Sequence, residues 1–167
     1  MKSFFSFLLI VGSLVACDQG AKTTIDNDPM SGKIVQNDDH SKGVKRFMTA
    51  YTENNMSAAK DVFAENAVFY VNDTKMSVDE MIAGFAVGHQ YFDNIAHNDV
   101  HMATMFYNNG GVYTNVWYNW SGDIKSTGET LTLRGYGWFK WENGKVVEAY
   151  NAFDPTAYGA AMAGQME

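Results

Sequence analysis

Cysteine is nearly absent from this 167-residue chain, and with Cys17 as its sole example neither an intramolecular disulfide nor a multi-cysteine zinc site can form. Basic residues are also few. Twelve Lys and Arg stand against nineteen Asp and Glu, a formal net charge of -7, and they are scattered, which argues against a groove for nucleic-acid phosphates. The acidic balance is chiefly a matter of solubility. No glycine-rich phosphate loop precedes a helix, no nucleophile elbow is present, and no internal repeat or low-complexity tract occurs. These absences leave no cofactor motif. What the chain has in quantity is apolar and ring-bearing side chains, 46% hydrophobic and 14% aromatic, enough for one domain with a sizeable core.

Long apolar runs are equally scarce, and the only one lies at the amino terminus. After Lys2 it extends from Phe4 to Val15, broken by Ser6, Gly12 and Ser13, which suits the core of an export signal and is too short to cross a bilayer as a mature helix. The run closes on Leu14-Val15-Ala16-Cys17, which resembles the lipobox of bacterial lipoproteins. That resemblance implies cleavage before Cys17, acylation of its thiol and new amino terminus, and a protein lipid-anchored in the bacterial cell envelope, the choice of inner or outer membrane staying open. From Asp18 to about His40 polar residues, Gly and Pro29 dominate without a sustained apolar period, so the stretch reads as a tether. Ile34-Val35 within it could instead pack on the folded part, which is placed at residues 41–160.

Ser41 reads as the cap of a first helix whose apolar positions Val44, Phe47, Met48 and Tyr51 fall on one face. A shorter helical stretch with Ala59, Val62 and Phe63 leads into a strand over Ala67 to Val71. Ser77 and Glu80 have the spacing of a capping box, and Val78, Met81, Ile82, Phe85 and His89 keep a helical period to about Phe92. The pattern then turns to strands over Ile95 to Tyr107, Val112 to Trp120, Thr130 to Trp141 and Lys145 to Phe153, separated by Asn- and Gly-rich turns. Helices followed by a meander of antiparallel strands make an α+β layout in which the sheet curls over about three amino-terminal helices.

This order, closed by Gly144-Lys145-Val146-Val147-Glu148 and Asp154, resembles the nuclear-transport-factor-2-like superfamily and especially its SnoaL-like, polyketide-cyclase branch, over about Ser41 to Phe153. The resemblance implies a cone-shaped fold enclosing an apolar pocket for a small ligand, with the outer sheet face often joining two copies. It also sets aside ketosteroid isomerase activity, since Phe47, Val71 and Gly137 occupy the positions of that family's tyrosine and two aspartates. Strand alternation gives Val112, Thr114, Val116, Tyr118 and Trp120 as the inner face of one strand, and Leu131, Leu133, Gly135, Gly137, Phe139 and Trp141 as that of the next. Gly135 and Gly137 leave floor space for a ligand or a bend. The opposite set carries Tyr113, Trp117, Tyr136 and Trp138, an aromatic patch suited to a homodimer surface.

The candidate chemistry sits in His97-Asn98-Asp99-Val100-His101, because i, i+2 and i+4 in an unbroken strand share a face. Apolar neighbours would turn this row outward, whereas matching the hairpin to the superfamily's isomerases turns it inward, and an undetected bulge would reverse that. His97 and His101 lie too far apart, at about 13 Å, to share an ion, so a three-ligand metal site from this strand alone is disfavoured. Asp99 paired with His97 or His101 would instead make an acid-base couple, with Tyr51 or Tyr118 donating to an oxyanion. The pocket expected around it is lined by Tyr51, Phe85, His89, Val116, Tyr118, Phe139 and Asn151. Three functions stay open: binding of a small apolar or aromatic molecule; a lyase, cyclase or isomerase using the Asp99 couple; and an interaction module acting through the outer sheet face.

Overall fold

The computed structural model describes residues 27–164. Lys2 to Cys17, with the export signal and the lipobox, lies outside the described residues. The element order is β1 (Gly32–Val35), α1 (Asp39–Thr52), a 3-10 turn (Met56–Val62), β2 (Phe63–Val71), β3 (Thr74–Ser77), α2 (Val78–Tyr91), β4 (Phe92–Tyr107), β5 (Val112–Ile124), β6 (Thr130–Glu142), β7 (Lys145–Phe153) and α3 (Pro155–Ala163). The strands form one seven-stranded sheet in the order β1-β4-β5-β6-β7-β2-β3. It is α+β as expected, with the three helical stretches ahead of β4 in place; one correction is that β2 runs parallel to β7, so the sheet is mixed, and α3 is a further helix after the strands. Among the described residues no helix is long and apolar enough to cross a membrane.

Helix α1 lays Val44, Phe47, Met48 and Ala50 against the sheet, and α2 adds Val78 and Met81. These meet Phe63, Phe69, Val116, Phe139 and Val146 in the main core, where Phe47 stands edge-on to Phe63 at 5.2 Å and to Phe139 at 5.9 Å. Each such ring, fully buried, contributes roughly 1.5–3 kcal/mol through the apolar surface it removes from water. The Ser77–Glu80 capping box is formed reciprocally, Ser77 Oγ accepting from the Glu80 N–H and the Glu80 carboxylate from the Ser77 N–H. A smaller cluster of Phe92, Ile95 and Trp120 closes the far end under α3, whose Tyr158 ring stacks on Phe92 at 4.9 Å.

The tether boundary at His40 is corrected by what residues 28–40 do. Gly32 to Val35 pair antiparallel with Thr104 to Tyr107, so Ile34-Val35 belong to the sheet. Ser41 does not cap α1. Asp38 does, its carboxylate accepting from the Ser41 N–H at 3.1 Å, while Ser41 sits in the first turn and donates its hydroxyl to the Asp38 carbonyl. A short side-chain relay fastens that cap to the sheet. The Trp141 indole N–H donates to Thr114 Oγ1 at 3.0 Å, Thr114 and Thr104 share a 3.0 Å bond, and Thr104 donates to Asp38 Oδ1 at 2.8 Å. Since each hydroxyl carries one proton, Thr114 is the donor to Thr104. His40 completes the relay from the other carboxylate oxygen, at 2.7 Å, with its ring edge-on to Trp141.

Burial opposes ionisation of Asp38, but the hydrogen bonds from Ser41, His40 and Thr104 outweigh it and hold the carboxyl far below its ordinary range. A depressed acid stabilises the fold above its unfolded pKa of about 4, and that contribution fades as pH falls toward the folded value. Asp38→Ala is therefore expected to cost about 2–3 kcal/mol at pH 7, the loss of a cap plus charge-assisted bonds. Urea unfolding of both proteins should show this gap narrowing below about pH 4, and a gap independent of pH would contradict the assignment.

Candidate functional site

Strand β4 does not run as an unbroken ladder. Between Asn98 and His101 three steps on β4 face two on β5, since Asn98 pairs with Asn119 and His101 with Trp117, and a second such step lies between Asp93 and Ala96. The extra residues are marked by the backbone, Asn94 at φ +50° and Asp99 at φ +49°. One inserted residue reverses the facing of everything beyond it. His97 lies opposite Trp120 on the inner face, and His101 opposite Trp117 on the outer. Asp99 is exposed and accepts a hydrogen bond from Asn119 Nδ2 at 2.9 Å. The expected acid-base couple is thus not assembled: no hydrogen bond joins Asp99 to either histidine among the described residues, and the three side chains do not form one row.

His97 enters an internal cavity of about 140 Å³. Its walls bring together helix residues Phe47, Met48, Tyr51 and Phe85, and sheet residues Phe69, Val116, Tyr118, Trp120, Phe139 and Asn151, with Phe153 and Tyr158 from the far end. Six of the seven side chains expected around a pocket therefore line it: Tyr51, Phe85, Val116, Tyr118, Phe139 and Asn151. The exception is His89, which is corrected: its Nε2 bonds the Tyr51 backbone carbonyl at 2.8 Å, and the ring is spent on joining α2 to α1. Strand alternation could have added Trp120 and Leu133, which it placed inward, whereas Tyr158 lies on α3, which the sequence pattern did not resolve as an element.

One of the two inward glycines explains how the wall closes. Gly135 pairs with Tyr118 across the ladder, and a Cβ there would come within 2.3 Å of the Tyr118 ring, so the phenol crosses the strand where the side chain is missing. Its hydroxyl then donates to Asn151 Oδ1 at 2.6 Å. Gly84 does the opposite work on α2. It is exposed yet lines the cavity, and a Cβ would meet nothing within 4 Å, which puts the cavity mouth beside it.

The polar side chains lining this ring-rich space include Tyr51, Tyr118, His97, Asn151 and Arg134. Tyr51 accepts from the Trp120 indole N–H at 2.9 Å, leaving its own proton without a protein acceptor among the described residues. Burial first, then the nearby Tyr158 phenol, pushes its pKa up beyond the ordinary range, so it stays a donor. Tyr118 is pushed up to about 12 by burial, partly offset by its bond to Asn151. His97 touches Tyr118 edge-on at 4.7 Å and Tyr51 at 5.4 Å, makes no hydrogen bond among the described residues, and is lowered to about 4 by burial. It is a neutral imidazole at neutral pH. Among the described residues no group of three or more His, Cys, Asp or Glu is placed to hold a metal ion.

The family model of the SnoaL-like domain matches residues 44–149. The chain belongs to the SnoaL-like domain family. Solved structures share the fold: a protein from Xanthomonas campestris pv. campestris assigned as a polyketide cyclase superposes with a TM-score of 0.61 at 14% identity, covering 74% of this chain and 96% of that one. A Bacillus subtilis protein assigned as an isomerase gives 0.57 at 14% identity over 75% and 94% of the two chains. A SnoaL-like polyketide cyclase assignment from Shewanella putrefaciens CN-32 gives 0.54 at 16% identity over 77% and 98%. No curated protein matches the sequence. At these identities the likeness establishes the fold alone.

Because His97 is protonated in the unfolded chain below about 6.5 and in the folded chain only below about 4, the unfolded state binds the extra proton between those values. Stability should fall as pH drops through that window. His97→Gln removes the group, and its stability profile between pH 6.5 and 4 should be flatter than the parent's in urea titrations; parallel profiles would show that the imidazole is not held neutral. Separately, Gly135→Ala should push the Tyr118 ring into the cavity at a cost of about 1–3 kcal/mol, visible as a lower thermal midpoint.

Proposed function

We propose that this SnoaL-like domain binds one compact, ring-shaped molecule bearing a single polar substituent, and does so without chemistry. The observation that carries the reading is the cavity of about 140 Å³, ring-lined but with the Tyr51 hydroxyl proton and the His97 imidazole left without a hydrogen-bond partner among the described residues. A dry engineered cavity of about 150 Å³ accommodates benzene, so the space suits one ring rather than a fused system. Tyr51 would donate to a ligand oxygen, and His97 or the Asn151 amide would take up a ligand O–H.

A lyase, cyclase or isomerase is the less favoured reading, for a local reason. A general base works best with a pKa near the working pH, whereas His97 is lowered to about 4 and lacks the carboxylate that would raise it. The placement of the domain in the cell is part of the proposal too. Acylation at Cys17 would anchor it to an envelope membrane, and the lipobox-like Leu14-Val15-Ala16-Cys17 supports this. A homodimer through the outer sheet face is favoured by Trp117, 46% exposed, with Tyr136 at 5.4 Å and the Tyr113–Trp138 pair beside it.

Titration calorimetry with phenol and toluene tests the binding reading. Phenol is expected to bind saturably and more tightly than toluene, and Gly84→Trp, which plugs the mouth, should abolish both while leaving stability unchanged or raised by about 0.5 kcal/mol through helix propensity. Absence of saturable binding, or binding untouched by the plug, would overturn it. For the assembly, Trp117→Lys should convert a dimer to a monomer in light scattering, and a parent chain already monomeric at high concentration removes that part of the proposal.

A further inference from the structure

A second, larger depression lies on the other side of His97. It is a groove of about 600 Å³ between α1 and β4, floored by Met48, Ile95, Val100 and Met102 and walled on the helix side by Lys42 and Lys45. His97 and Met48 line both spaces, so a single layer of side chains parts groove from cavity. The groove exists because β4 has a sheet neighbour on one side only until Thr104, where β1 begins.

Its charge runs against that of the molecule. The chain carries -7, yet no Asp or Glu lines the groove, and its ionisable lining residues are Lys42, Lys45, His97 and His101, the last through β4 at a position paired with Trp117. Lys42 is partly engaged by Asp39 at 2.9 Å, a pair exposed on both sides and worth little. Lys45 is exposed and forms no ion pair among the described residues. Asp38, Glu53 and Asp99 each adjoin a lining residue in sequence but are not part of the lining, Asp38 being held by Ser41, His40 and Thr104 and Asp99 by Asn119. An apolar floor, a cationic wall and an adjoining ring-sized cavity are complementary to one kind of small molecule, an amphiphilic anion.

We infer that the groove is the carboxylate-binding half of the site: the ligand is a one-ring acid on a short chain, its ring in the cavity, its chain beside His97, and its carboxylate with Lys45 and Lys42. The inference rests on the cavity-binding reading above and narrows it to a substrate class. Met48, unbranched and adaptable, is the side chain that yields to let the chain pass. His97 then stands alongside the linker, which accounts for an imidazole that has no protein partner.

The test compares 3-phenylpropanoate with its neutral amide and with toluene by calorimetry on the intact chain. In low salt the acid should bind about five- to tenfold more tightly than the amide, the effect of two partly exposed ion pairs. That preference should fall to near unity in the Lys42→Met, Lys45→Met double variant and shrink in 0.5 M salt, on the order of a Debye length below 5 Å. Equal affinities for acid and amide, or a preference that survives the double variant, would overturn the groove assignment while toluene binding keeps the cavity reading intact. Acid binding that persists in Gly84→Trp while toluene is lost would place the acid wholly in the groove and overturn the spanning geometry. Failure of all three compounds to bind would overturn the cavity reading itself, and this inference with it.

Discussion

Asp99 holds a left-handed backbone at φ +49°, a conformation that costs a non-glycine residue of order 1 kcal/mol or more and that Asp and Asn tolerate best. The surrounding pairing keeps it there, with Asn98 fixed opposite Asn119 and His101 opposite Trp117, and the Asp99 carboxylate taking the Asn119 amide. The opposite facing of His97 and His101 on β4 depends on that one inserted residue. Without it, His97 and His101 would share a face and either both enter the cavity or both leave it. With it, His97 is buried among tyrosines and His101 lies opposite Trp117 on the outer face, so two chemically identical side chains four residues apart in sequence acquire different company.

The cavity itself follows from a balance between missing and oversized side chains. Gly135 withholds a Cβ so that the Tyr118 ring can cross β6, and Asn151 on β7 then accepts the phenol at 2.6 Å. Trp120 occupies the next inward position and turns its N–H to Tyr51, which ties the sheet to α1 through a bond 69 residues apart in sequence. The rings therefore cannot simply collapse into the space, since each hydrogen bond fixes a ring edge against the wall. Polarity in this core serves geometry, and the Tyr51 hydroxyl proton and the His97 imidazole are the groups that this geometry leaves without a partner among the described residues.

Much of this was legible from the sequence, and the limits have physical causes. The capping box at Ser77, the periods of α1 and α2, and the inward sets on β5 and β6 could be read because burial on one face writes a regular pattern. Tyr118, Val116, Phe139 and Asn151 followed from that alternation. The row at His97 could not be read, because a bulge leaves no composition mark beyond residues such as Asn94 and Asp99 that tolerate positive φ anywhere. Nor could β1: a four-residue edge strand, exposed along most of its length, has no face to bury and looks like its polar surroundings. His89 fitted the helical period and does face α1, but its ring nitrogen is taken by a backbone carbonyl, a contact between distant residues that periodicity does not register. Strand β5 likewise runs past its expected end at Trp120 to Ile124 before turning, since its partners Thr130 to Thr132 extend the ladder.

The edge strand β1 also sets a distance. Because Gly32 lies opposite Tyr107 and the Asn108 amide bonds the Asp28 carbonyl, the chain enters the fold at the β4–β5 turn. Only residues 18–26 separate Cys17 from the first described position, Asn27, and even fully stretched that stretch reaches no more than about 35 Å. Were Cys17 held at a bilayer, the Tyr107 to Gly111 turn would be the part of the domain nearest the lipid. The domain would then hang from one corner on a short leash, and access to Gly84 and to the lysine wall of the groove would depend on how it tilts about that corner.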